Sequence, residues 1–277
     1  MQGLSRQIGA LLVASLGMAM TASAHADEAV SLFAAGSLRN ALDEVTAAFT
    51  AESGIKVDAK FGPSGMLRNE IAAGGPAQVF ASANMAHPQS LAAAGRSSPV
   101  VLFARNRLCA LVKPGLSVTP ETLLQTALRE DVKVATSTPK ADPSGDYAMA
   151  VFAKSEAMKS GSRNILEQKA LQLTGGPSSA AAPSGRNAYG WHVAEGRADI
   201  FFTYCTNALK ARQENAGQQI VALPEALAVG ADYGLTVMKD SPPAAYRLAL
   251  FIVSSKGQEI LARYGFSAPA LVQGAQQ

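Results

Sequence analysis

The sequence is short of charge and short of reactive side chains. Charged residues make up 16% of its 277 positions, against about a quarter in a typical soluble chain. Twenty-four Lys and Arg face 21 Asp and Glu, a formal +3, and no basic run with interleaved aromatics gathers that excess into a patch. A nucleic-acid surface is excluded on that ground, since such binding needs a basic stripe or face. There are only three His, two Cys and one Trp. The histidines lack helical metal spacing with a carboxylate partner, and the cysteines form no CxxC, so zinc and dithiol redox chemistry have no support. No Gly-x-x-x-x-Gly-Lys-Ser/Thr loop is present, which rules out ATP hydrolysis by that route.

Hydrolase signatures fail as well. Gly62-Pro63-Ser64-Gly65 begins like a nucleophile elbow, but Met66 stands where Gly-x-Ser-x-Gly requires glycine. Ser137-Thr138-Pro139-Lys140 matches Ser-x-x-Lys, yet Pro139 lies inside the turn that must present both groups, and neither Ser-Asp-Asn nor Lys-Thr-Gly occurs. Beyond the leader described next, His87 and His192 are the only imidazoles to serve as bases, and no catalytic residue is assigned.

What is present begins with a leader. Arg6 supplies a short positive region, Ile8 to Met20 an apolar stretch, and Thr21 to Ala26 a run of mostly small residues. The apolar stretch is shorter than the roughly 20 residues of a membrane span, so residues 1–26 are expected to be a signal peptide cut after Ala26, with Ala24 the alternative. No cysteine lies near the cut to carry a lipid. A soluble exported protein is expected, in a compartment where Cys109 and Cys205 read either as a disulfide or as two buried thiols.

The full sequence is 48% hydrophobic, enough for one large core or, better suited to this length, two smaller ones. Short β-rich runs alternate with helical periods. Strands are expected at Ala29–Phe33, Ile55–Phe61, Gln78–Ala81, Val100–Phe103, Arg107–Val112, Val132–Thr136, Asp199–Cys205, Ile220–Leu223 and Tyr233–Val237. Leu38, Ala41, Leu42, Val45, Ala48 and Phe49 mark one buried helix face. The tail from Pro242 reads as helix with Tyr246, Leu250 and Phe251 on one face, and Thr174 to Pro183 as a loop. This alternation predicts an α/β fold with mostly parallel sheets in two lobes.

One motif repeats. Pro-Ser-Gly occurs at 63–65, 143–145 and 183–185, each before a helical period, and Gly36-Ser37 opens the first helix. Serine at a helix start is ordinarily an N-cap. Four such starts converging would also make an anion site from hydroxyls and amides, without charged side chains. A site of that kind offers few hydrogen-bond acceptors, and so favours an anion that carries no proton. Arg186, after the third tripeptide, is read either as a cation for the site or as a solvated residue. Arg39 and Arg68, in first turns where a cation opposes the helix dipole, are expected on the surface.

Taken in order, several segments resemble the periplasmic molybdate-binding proteins of ABC importers. They are Phe33-Ala34-Ala35-Gly36-Ser37-Leu38, Gly62-Pro63-Ser64-Gly65, Gly74-Gly75-Pro76-Ala77-Gln78-Val79-Phe80-Ala81-Ser82-Ala83, Arg107–Pro114, Pro143-Ser144-Gly145-Asp146-Tyr147, Ala198–Ala208 and Arg263-Tyr264-Gly265-Phe266. The resemblance implies a type II periplasmic-binding-protein fold, with lobe 1 formed by 27–106 plus 233–277 and lobe 2 by 107–232. It also implies molybdate or tungstate in the interlobe cleft, a monomer serving an inner-membrane permease with a separate ATPase, and no cofactor. By motif, the ligand-binding positions fall on the hydroxyls of Ser37, Ser64 and Tyr204, the amide of Ser144 and an amide near Arg186. Gln78, Ser144, Arg186 and the loop Thr174 to Pro183 depart from the usual pattern, which places sulfate or another small oxyanion after molybdate and tungstate; the same fold binding an organic acid or iron, and an exported hydrolase, are the alternatives.

Overall fold

The computed structural model describes residues 29–269 of the chain; the expected leader, residues 1–26, lies outside the described residues. The strands are β1 (Val30–Ala35), β2 (Val57–Gly62), β3 (Val79–Ser82), β4 (Val101–Val112), β5 (Val134–Ser137), β6 (Leu171–Thr174), β7 (Ile200–Tyr204), β8 (Gln219–Ala222) and β9 (Gly230–Val237). The helices are α1 (Arg39–Ser53), α2 (Ser64–Ala72), α3 (Ala86–Ala93), α4 (Leu123–Ala127), α5 (Pro143–Met158), α6 (Ser162–Lys169), α7 (Ala188–Ala194), α8 (Cys205–Glu214), α9 (Pro243–Val253) and α10 (Ser255–Arg263).

The sheet order is β2-β1-β3-β9-β4-β7-β5-β6, with β8 also on β4. At one end β2, β1 and β3 are parallel, and at the other β6, β5 and β7 are parallel. Every pairing through β9 and β4 is antiparallel. The expectation of mostly parallel sheets therefore holds only within each half. The halves meet in β4, whose residues Val101–Arg107 pair with β9 while Leu108–Val112 pair with β7. The two runs expected at Val100–Phe103 and Arg107–Val112 are one strand, because Ala104–Asn106 continue the ladder past a register shift between Leu102 and Ala104.

Local chemistry explains the ends of elements. A short 3-10 turn, Gly36–Leu38, leads from β1 into α1. Helix α1 buries Ala41, Leu42, Val45 and Phe49 and stops at Gly54, whose φ of 74° is the left-handed conformation glycine tolerates best. Helix α5 has Pro143 in its first turn and Asp142 as its cap. Helix α9 departs from expectation. It buries Ala245, Leu248 and Ile252, whereas Tyr246 and Leu250 are 42% and 68% exposed. Apolar residues run around the whole helix, so bulk did not mark the inward face. Strand β6 also had no expected counterpart, its four residues being too few for a clear alternation.

A disulfide braces the second half internally, and a backbone hydrogen bond joins the two halves. Cys109 on β4 is disulfide-bonded to Cys205, the first residue of α8. The peptide of Gly65 in α2 donates to the Ala141 carbonyl at 3.0 Å, joining the α2 start to the loop before α5. A Cβ at position 65 would lie 2.3 Å from the Lys140 carbonyl oxygen and 2.8 Å from that of Ala141, so only glycine permits this approach.

Gly65→Ala is expected to destabilise the protein by about 1–3 kcal/mol, the usual cost of overpacking against unyielding atoms, read by urea denaturation; an unchanged midpoint would contradict the close contact. The bond between Cys109 and Cys205 spans 96 residues. The Cys109→Ser/Cys205→Ser double variant should lose about 2–5 kcal/mol, and reductant should lower the melting temperature of the wild type but not of that variant.

Candidate functional site

A cleft of about 1170 Å³ runs between the two halves, lined on one side by Gly36, Ser37, Ser64 and Ala83 and on the other by Asp142, Thr174, Tyr189 and Tyr204. It is larger than the roughly 300–1,000 Å³ of most small-molecule pockets. Its charged lining is mixed, Arg39, Arg186, Lys210 and Arg263 against Asp43, Glu44, Asp142 and Glu214. Two of those cations are engaged: Arg263 with Glu44, and Arg186 Nε with Glu214 Oε2 at 3.5 Å. Arg39 is exposed, as expected, and lies over the Phe61 ring with its guanidinium carbon 4.6 Å from the centroid. Arg68 is instead half-buried.

Three of the expected site residues meet. Ser37 lies in the 3-10 turn after β1, and its Oγ is 3.0 Å from the Tyr233 hydroxyl. Tyr204 ends β7, with its ring centroid 5.7 Å from that of Tyr233 and its hydroxyl 3.5 Å from the Ala83 carbonyl oxygen. Ser64 is the first residue of α2, and its Oγ accepts the Ala83 N–H at 3.0 Å, leaving its own proton free to donate. A single path thus runs Ser37, Tyr233, Tyr204, Ala83, Ser64. Asn106 supports it, donating from Nδ2 to the Tyr233 hydroxyl at 3.2 Å and to Thr206 Oγ1 at 2.9 Å. Burial holds the Tyr233 and Tyr204 phenols far above their usual range and pushes Tyr147 up to about 12, so these hydroxyls stay protonated donors.

The other two expected positions behave differently. Ser144 is fully buried and does not line the cleft. Its N–H is 3.0 Å from Asp142 Oδ1, to which it donates, and its hydroxyl is buried without a partner. An internal carboxylate thus sits on the amide expected to meet a ligand. Arg186 is not at a helix start. Gly185, at φ 77°, cannot continue into a helix without strain, so Ser184-Gly185 form a turn and α7 begins at Ala188 under the Asn187 cap. The Arg186 N–H donates to Pro183, and the Asn187 N–H donates to the Glu214 carboxylate at 2.8 Å. Of the three Pro-Ser-Gly tripeptides, only the first two open helices.

Sequence reading passed over Asp142, Thr174, Tyr189, Asn106 and Tyr233. Asp142 was visible as a capping residue before Pro143; the others carry no local signal, since they come together only through strand pairing. Ser137 Oγ and Thr174 Oγ1 are 2.9 Å apart at the ends of β5 and β6, beside Asp142 and Tyr189. Burial pushes the Asp142 carboxyl up to about 6, against the lowering effects of the Ser144 amide and the Ser137 hydroxyl. The site therefore contains an acceptor, contrary to the expectation of hydroxyls and amides alone.

Neither His87 nor His192 lines the cleft, and burial, then Arg68, hold His87 down at about 4. Among the described residues no group of three His, Cys, Asp or Glu side chains is placed to hold a metal ion, and no helix is long and apolar enough to cross a membrane.

Several known proteins are similar to this chain to different extents. An uncharacterized protein of Pasteurella multocida is 36% identical over 205 residues, 74% of this chain and 85% of that one. The molybdate-binding protein ModA of Escherichia coli is 26% identical over 265 residues, 92% of this chain and 95% of that one. The solved structure of the sulfate-binding protein SubI from Mycobacterium tuberculosis aligns with a TM-score of 0.69 at 18% identity, covering 88% of each chain. The two α/β halves with a cleft between them are the two-lobed fold of periplasmic binding proteins. Residues 30–267 match the bacterial extracellular solute-binding proteins, and the chain belongs to that family.

Proposed function

We propose that the protein is the periplasmic solute-binding subunit of an ABC importer and that it takes a tetrahedral oxyanion, molybdate or tungstate first, in the cleft lined by Ser37, Ser64 and Tyr204. The observation that carries this reading is the path of neutral donors from Ser37 through Tyr233, Tyr204 and Ala83 to Ser64, which brings residues from both ends of the sheet to one place. Oriented hydroxyls in a partly buried cleft stabilise an anion through charge-assisted hydrogen bonds. They do so without the basic patch that would attract polyanions.

In this reading the leader 1–26 is removed on export and the mature chain acts as a monomer. Residues 27–106 with 233–277 form lobe 1, and residues 107–232 form lobe 2. The change of partner along β4, from β9 up to Arg107 to β7 from Leu108, supports that division. A cleft of about 1170 Å³ far exceeds one tetrahedral oxyanion. Contact from both lobes then requires the lobes to approach, which supplies the differential affinity that shifts a two-state hinge toward its closed form. The closed form is what the permease recognises, and binding is the only chemistry of this subunit.

Thermal shift and calorimetry with molybdate, tungstate, sulfate and phosphate in parallel test the reading. Stabilisation by at least one of the four is expected; stabilisation by none would overturn it in favour of an organic ligand. Removing one buried donor costs about 1–3 kcal/mol, so Ser37→Ala and Ser64→Ala should each weaken the preferred oxyanion roughly 5- to 150-fold. Undiminished affinity in both single variants would show that the site lies elsewhere.

A further inference from the structure

A carboxylate stands where the ligand oxyanion would be expected to take an amide. Asp142 lines the cleft, and its Oδ1 accepts the Ser144 N–H at 3.0 Å. Its other oxygen faces Gly175, where a Cβ would lie 2.6 Å from Oδ2; the missing side chain at 175 is what makes room for the carboxylate. Neutral groups surround it: the Ser137 hydroxyl on β5, the Tyr189 ring on α7 and the Tyr204 phenol at the end of β7. The charge acting on it is Asp146, one turn along α5, which is half-buried, accepts the Lys140 backbone N–H at 2.7 Å and is itself partly offset by the Lys140 ammonium. Of the four cleft cations, Arg186 is held by Glu214, Arg263 by Glu44 and Arg39 lies over the Phe61 ring, while Lys210 is exposed; no ion pair among the described residues includes Asp142.

Two like charges without a cation between them cannot both remain ionised in a partly buried site; one takes up a proton. A bare dianion brought beside this carboxylate meets that constraint directly. We propose that Asp142 is a specificity-determining residue of the cleft, and that the occupied site holds one proton shared between its carboxylate and an oxygen of the bound oxyanion. The proposal rests on the oxyanion reading above and deepens it. Ligands then divide by chemistry. Hydrogen phosphate, and other oxyanions that keep a proton at neutral pH, bring the proton with them and donate it to Asp142. Molybdate and sulfate, which carry none, bind with uptake of one proton from solvent. That Asp142 is already biased toward protonation by burial agrees with this role.

The sign follows from linkage. A complex that holds one more proton than its separated parts weakens about tenfold for each pH unit above the carboxyl's own titration in the free protein. Calorimetry of the mature chain with sodium molybdate, from about pH 6.5 to about pH 8, in two buffers of different ionisation enthalpy, measures both the slope and the protons taken up. The wild type is expected to lose about tenfold in molybdate affinity per pH unit, with uptake of about one proton. Asp142→Asn keeps a capping side chain at the start of α5. It should remove the slope and the proton uptake and tighten molybdate at the upper pH by about tenfold or more relative to phosphate.

A wild-type molybdate affinity that changes less than about twofold over that range, or an equal slope in Asp142→Asn, would overturn the proposal. If the variant does not fold, the buffer dependence of the wild-type enthalpy decides alone: one proton taken up supports the proposal and none refutes it. Binding without proton uptake refutes only the role of Asp142. Failure of the wild type to bind any of the four oxyanions refutes the oxyanion reading, and this proposal with it.

Discussion

The antiparallel ladder between β4 and β9 is the constraint on which the rest of the molecule depends. Among the described residues it is where the parallel strands of the two halves are tied through continuous backbone hydrogen bonds, and β4 passes from one half into the other without a loop. Tyr233 lies on β9 and Asn106 on β4, so the polar groups behind the cleft are rooted in that ladder. Ser37 and Tyr204 lie beside these strands, each in reach of Tyr233. Such an arrangement lets a site be shared by two bodies and still keep its donors in register.

Electrostatically the cleft is balanced more than it is positive. Arg186 and Arg263 are neutralised by Glu214 and Glu44, and the buried phenols cannot ionise in any ordinary range. Oriented dipoles, which act at short range and discriminate by geometry, then stand beside two lining cations, Arg39 and Lys210, that are in no ion pair among the described residues. Asp142 adds a repulsive element to an otherwise attractive set. Rejection of the wrong ligand is as much a part of specificity as affinity for the right one.

The fold was largely legible in the sequence because its signals are local. Alternating β-rich and helical periods located eight of the nine strands within a few residues, and the buried face of α1 followed from the spacing of Leu38, Ala41, Leu42, Val45 and Phe49. The unity of β4 was missed because Asn106 and the charged Arg105 and Arg107 interrupt its apolar pattern, although each still pairs with β9. The inward face of α9 was misread because small Ala245, rather than Tyr246 or Leu250, packs inward. Ser37, Ser64 and Tyr204, expected together by motif, do line one cleft. Ser144 and Arg186 could not be judged that way, since whether an amide is available depends on what else reaches it, and Asp142 and Glu214 reach those amides through tertiary structure.

The disulfide reaches further than its contribution to stability. Cys205 directly follows Tyr204, and Cys109 lies opposite Thr203 on the paired strand, so the bond fixes the corner from which the phenol projects. Reducing interiors leave such bonds unmade and oxidising compartments close them. The corner that carries Tyr204 is thus closed covalently only where thiols are oxidised, and rests on the pairing of Leu108 with Tyr204 where they are not.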